Sequence, residues 1–150
     1  MTPEARPERA ATAGTTSTTG AAGTTTPRAA SVPWAAFALD VVLVLVFATI
    51  GRLSHAEGVT FGGLVTTASP FLAGTVGAWA LLVSRGRPRA ATIPAGLLVW
   101  AMTLVVGMAL RAITGQGVAL SFVLVAGSFT ALTLIGWRAL GAWLIRRNAR

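Results

Sequence analysis

The chain has 150 residues, 54% of them hydrophobic and only 11% charged, with a mean hydropathy of +0.73. A soluble domain of this size has too little interior to hide so much apolar surface, so a membrane protein is expected. The net charge of +8 comes from arginine alone, and the arginines flank apolar stretches instead of lining a basic, aromatic-bearing helix, which argues against nucleic acid as a partner. With no cysteine, disulfides, thiolate metal sites and cysteine nucleophiles are excluded.

Residues 1–33 are rich in Thr, Ala, Gly and Pro and hold two large aliphatic side chains, Met1 and Val32. Such a segment cannot bury enough apolar surface to offset its ordering entropy, and it reads as a disordered tail. No apolar core follows its early arginines, so a cleavable signal peptide is not expected.

Four apolar spans follow: Trp34 to Leu53, Gly62 to Val83, Ile93 to Leu110 and Val118 to Trp137, the last able to continue as helix to Ile145. A twenty-residue helix reaches ~30 Å, one hydrocarbon thickness. The spans are continuously apolar, without the two-residue alternation of a barrel strand, and helices alone satisfy every backbone donor inside the segment. Short connections make successive helices antiparallel, so the expected fold is an all-α transmembrane domain, a compact up-down bundle of four helices over residues 34–140. Residues 141–150 then form a short basic tail. Pro70 either kinks the second span or marks its true start, with Ser69 as cap.

Arginines set the expected orientation. Eight (Arg28, Arg85, Arg87, Arg89, Arg138, Arg146, Arg147 and Arg150) fall on one side and two, Arg52 and Arg111, on the other. The positive-inside rule places both termini in the cytoplasm. Trp34, Trp79, Trp137 and Trp143 fall at the same ends, where indoles sit at headgroup level.

Few polar residues are candidates for function. Asp40 is the only acid within a span. Its insertion penalty of ~2.5 to 3.5 kcal/mol is outweighed by ~3 to 6 kcal/mol from the surrounding Val, Leu, Ile and Phe, so the span inserts with the acid facing protein. About six residues, or ~9 Å, inside the membrane, Asp40 needs a partner, and Arg138 lies at a matching level. A proton- or cation-coupling carboxylate is the alternative. Arg52 is ~18 Å and ~120° away on the same helix and cannot pair with it. The simplest arrangement groups Arg52 with Glu57 and Arg111 into a rim of net positive charge that could attract an anion. His55 could sense pH there, but one imidazole and one carboxylate are too few ligands for a metal, and no cofactor is expected. Nor is a catalytic constellation legible, since Asp40 and His55 lie near opposite faces of the membrane. Small residues Ser69, Ala73 and Gly77, with Gly74 and Ala78 beside them, offer a close-packing face on the second span; Gly127 and Ala131 offer a shorter one on the fourth.

Asp40, Gly51-Arg52 with Ser54-His55, Ser69-Pro70-Phe71, Trp100, Gly107 to Arg111 (GMALR), Ser121 to Val125 (SFVLV) and Gly136-Trp137-Arg138 together resemble a family of small bacterial and archaeal membrane proteins, the domain-of-unknown-function 3054 family. The resemblance covers roughly residues 34–140. It implies an integral membrane protein and brings no activity, substrate or cofactor with it. The expected function is therefore a non-enzymatic role in the cytoplasmic membrane, structural or partner-binding, with the bilayer and either a second copy or another membrane protein as partners. A small-solute or proton-coupled transporter acting as a homo-oligomer is the competing class, by analogy of architecture.

Overall fold

The computed structural model of the chain describes residues 34–54, 59–86 and 90–149. These form four helices: α1 (Trp34–Ser54), α2 (Phe61–Ser84), α3 (Ile93–Ile113) and α4 (Leu120–Asn148). Among the described residues there is no strand. The tail expected over residues 1–33 lies outside them.

All four helices are long and apolar enough to cross a membrane. Each packs against its neighbour in sequence, α2 with α3 most extensively, and α1 meets α4 to close the bundle. Buried positions recur every fourth residue: Asp40, Val44 and Ala48 on α1, Val99, Thr103 and Gly107 on α3, and Ala126, Thr130, Leu134 and Arg138 on α4. That spacing keeps one narrow stripe of each helix facing inward. The remaining apolar side chains point outward, so that only 22% of the most apolar stretch of α1 and 39% of that of α2 is buried. A surface this apolar is suited to lipid rather than water.

Pro70 does not mark the start of α2, and Ser69 is not its cap. The helix begins at Phe61, where the Thr60 hydroxyl accepts a hydrogen bond from the Gly63 amide at 3.2 Å, and it runs through a buried Pro70. The Thr60 cap satisfies one of the otherwise free amides of the first turn. At the other extreme α4 continues without a break to Asn148, three residues past Ile145.

Helix spacing is set by glycines. A Cβ on Gly74 would lie 2.5 Å from the Met102 carbonyl oxygen, and one on Gly107 would lie 2.5 Å from the Phe71 ring, so α2 and α3 meet almost backbone to backbone. The close-packing face of α2 is thus Gly74 and Ala78, both buried, while Ser69 and Ala73 are exposed. Between these two helices the Thr75 and Thr103 hydroxyls pair at 2.8 Å in the dry interior. Phe71, Phe47 and Phe129 fill the middle of the bundle, with Phe47 edge-on to Phe71 at 5.2 Å.

Candidate functional site

Asp40 lies six residues into α1, at the end of the bundle where α2 finishes and α3 starts, and is completely buried. Arg138 reaches it from α4 and is also completely buried. The two form a bidentate fork: Arg138 Nη1 donates to Asp40 Oδ1 at 2.9 Å and Nη2 to Oδ2 at 2.7 Å. Planar guanidinium and planar carboxylate match in this geometry, the strongest form of charged hydrogen bond available to side chains. Arg138 also donates through Nε to the Ala90 carbonyl at 2.8 Å, and through Nη1 to the Leu134 carbonyl at 2.6 Å.

Two indoles complete the carboxylate. Trp79 Nε1 donates to Oδ2 and Trp137 Nε1 to Oδ1, both at 3.0 Å. Asp40 therefore accepts four hydrogen bonds from three side chains on α2 and α4. The expected belt role of these tryptophans is overturned: Trp79 is buried and Trp137 half-buried, and both turn inward to the acid. Trp34 and Trp143 are the exposed ones, at 69% and 53%.

Arg138 lies at the level of Asp40, as its place in the fourth span implies. It is enclosed because Gly96 on α3 has no side chain there; a Cβ would sit 2.6 Å from Arg138 Cδ. One buried ion pair thus draws on α1, α2, α4 and the connection before α3, with α3 supplying the space. No buried polar side-chain atom among the described residues lacks a hydrogen-bond partner. Chemically the arrangement is saturated: the carboxylate has no open lone-pair direction toward solvent, and its lining helices bring no second acid or imidazole.

The opposite end of the bundle holds Arg52, at the end of α1, and Arg111, at the end of α3. Arg52 Nη1 donates to the Thr67 hydroxyl at 3.3 Å, and its guanidinium occupies the space left open by Gly63, where a Cβ would overlap it. Arg111 donates to Gln116 Oε1 at 3.0 Å, to the Gln116 carbonyl at 3.1 Å and to the Gly117 carbonyl at 3.3 Å. Its guanidinium lies 4.3 Å from the centre of the Phe122 ring. This loop geometry depends on Gly115 and Gly117, whose φ values of 72° and 76° are ones other residues rarely adopt. Gln116 was not singled out as a partner; the signal that could have found it is the pair of glycines bracketing it, Gly115 and Gly117, which mark a tight turn but do not say which side chain the turn faces.

Both arginines line one cavity of about 470 Å³ between α1 and α4. Phe47, Phe122, Val125 and Phe129 form much of its wall. The structure thus brings Arg52 and Arg111 together around a common space. Glu57 and His55, the other members expected of this cluster, lie outside the described residues. No group of three or more His, Cys, Asp or Glu side chains suited to a metal occurs among the described residues.

No curated protein and no solved structure matches the chain. A family model does match, over residues 37–141, a stretch that includes both Asp40 and Arg138 and both cavity arginines. The chain belongs to that family, described as protein of unknown function (DUF3054).

Proposed function

We propose that this chain is a non-enzymatic, multi-pass protein of the cytoplasmic membrane, with both termini cytoplasmic and Asp40 serving as a structural lock. The single observation that supports this reading is the saturation of Asp40: a fully buried carboxylate with four donors, two of them from one arginine fork. A coupling carboxylate has to exchange protons or cations with water during its cycle, and that requires an open path and a vacant lone pair. The cavity at the Arg52 end does not include Asp40 in its lining. With the lock closed, the working surface of the protein is its other end and its outer faces, where a partner or ligand would bind.

Proteoliposomes test this reading. Wild-type protein should add no proton-linked flux over empty vesicles, and Asp40→Asn should lower thermal stability. A proton-linked flux in the wild type, abolished in an Asp40→Asn variant of unchanged stability, would establish the transporter class instead.

A further inference from the structure

We infer that the last turns of α4, from Trp143 to Asn148, are a docking surface for anionic phospholipid, with Arg146 and Arg147 on the phosphates and Trp143 at the acyl boundary. This rests on the chain spanning a membrane, and neither on which leaflet this end faces nor on any role for Asp40.

Helix length comes first. The residues that meet around the Asp40 fork give a common level from which each helix can be measured. From there α1 runs ~9 Å to Trp34, α2 ~7.5 Å from Trp79 to Ser84 and α3 ~4.5 Å from Gly96 to Ile93, whereas α4 runs ~15 Å from Arg138 to Asn148. The last turn of α4 therefore stands clear of the bundle. Exposure agrees: every residue from Trp143 to Ala149 is exposed. Ile145 continues the stripe that buries Leu134 and Arg138 completely, yet it is 73% exposed.

The charge at this end is one-sided. Asp40 is the only acid among the described residues, and Arg138 neutralises it inside the bundle. Arg146 and Arg147 are both exposed, and the Arg147 guanidinium lies 5.4 Å from the centre of the Trp143 ring. That stacking orders one cation before an anion arrives, which lowers the cost of binding. Side chains on a helix lean toward its N-terminus, which for the end of α4 is back toward the membrane, so both arginines reach in the direction of the phosphates.

The apolar part decides the class of partner. About twenty helical residues cross the hydrocarbon, and counted from Leu120 they end at Ala139. Trp143, Leu144 and Ile145 follow within two turns and are all exposed. A soluble acidic segment would pair with the arginines and leave three large apolar side chains in water, and a neutral lipid would cover those side chains and leave the charge unmatched. An anionic headgroup layer, about 5–7 Å deep, takes the indole and the aliphatic groups at its inner edge and the guanidiniums at its phosphates.

The chain has no cysteine, so Asn148→Cys places a fluorophore at one defined position. The labelled full chain is reconstituted in phosphatidylcholine vesicles holding a small fraction of lipid with a nitroxide high on its acyl chain, as either phosphatidylglycerol or phosphatidylcholine. Quenching should show phosphatidylglycerol enriched at the label by roughly fivefold at low salt, the scale of one arginine at an anionic surface, and the enrichment should fall as salt rises. Arg146→Gln with Arg147→Gln should abolish it. Arg85→Gln, at the end of α2 on the same side of the membrane, should leave it in place, as should Glu4→Gln with Glu8→Gln in the N-terminal segment. Equal quenching by the two lipids would overturn the inference. So would an equal loss in Arg85→Gln, which would identify a diffuse field over the whole basic end. Enrichment that emerges only once Glu4 and Glu8 are neutralised would also overturn it, by showing that the chain's own acids occupy the arginines. If the double arginine variant fails to fold, the salt dependence and the Arg85→Gln comparison decide.

Discussion

Gly96 and Arg138 share one volume: the place where a side chain on Gly96 would begin is taken by the Arg138 side chain, 2.6 Å from where the Cβ would lie. Arg138 cannot swing aside, because its guanidinium is fastened to Asp40, Ala90 and Leu134. Gly96→Ala gains about 1 kcal/mol of helix propensity. It also overpacks a rigid site, at a cost of about 1–3 kcal/mol, and risks loosening the fork. Net destabilisation is expected in thermal unfolding. Gly141→Ala on α4, where a Cβ meets nothing within 4 Å, should be neutral or stabilising. Equal behaviour of the two variants would show that the arginine can relocate freely.

A double-substitution cycle on Asp40 and Arg138 should give strong coupling. Asp40→Leu leaves a fully buried guanidinium without its counter-charge, and Arg138→Leu leaves the carboxylate with only its indole donors. Each single variant is expected to lose about 3–5 kcal/mol. Removing both charges together removes the uncompensated ion, so the double variant should be more stable than the sum of the singles implies. Additive losses would mean that the two residues stabilise the bundle separately.

The two indoles are expected to differ. Trp79→Phe and Trp137→Phe each delete one hydrogen bond to a charged acceptor, worth about 1.5–3 kcal/mol. Trp79 is 4% exposed and also packs edge-on against Phe37 at 5.4 Å, whereas Trp137 is half-buried. Water or a headgroup can replace the second donor more readily than the first. Unfolding measurements should therefore rank Trp79→Phe as the more destabilising, and the reverse order would place the wetter side of Asp40 on α2.

These tryptophans also mark the limit of what the sequence makes legible. Four long uninterrupted apolar runs leave few alternatives to four helices, and the ends of α1 and α2 fall within a residue or so of their spans. Asp40 and Arg138 could be matched because a lone intramembrane acid needs a cation at its own depth. A tryptophan near a span end, by contrast, reads as a headgroup anchor whether it faces lipid or protein, and only the rotation of α2 and α4 about their axes distinguishes the two. The same holds for Gly96: its importance comes from a side chain 42 residues away in sequence. Arg52 and Arg111 were legible as one end of the bundle, but the cavity they share arises from the spacing of α1 and α4.

Orientation is the last prediction, and the structure changes its arithmetic. Arg138 is fully buried against Asp40, so it is neutralised within the bundle and does not belong in a count of loop charges. Without it, seven arginines (Arg28, Arg85, Arg87, Arg89, Arg146, Arg147 and Arg150) oppose Arg52 and Arg111. The bias shrinks from eight against two to seven against two but keeps its sign, and it still supports the proposed placement of both termini in the cytoplasm. A green fluorescent reporter fused after Arg150 should fluoresce, and an alkaline phosphatase fused at the same place should stay inactive. Because Arg85, Arg87 and Arg89 share one short connection, replacing all three with Gln reduces the difference from seven against two to four against two. The topology should survive that change, whereas an active phosphatase fusion on the unmodified chain would reverse the assignment and place the Arg52 and Arg111 cavity in the cytoplasmic leaflet.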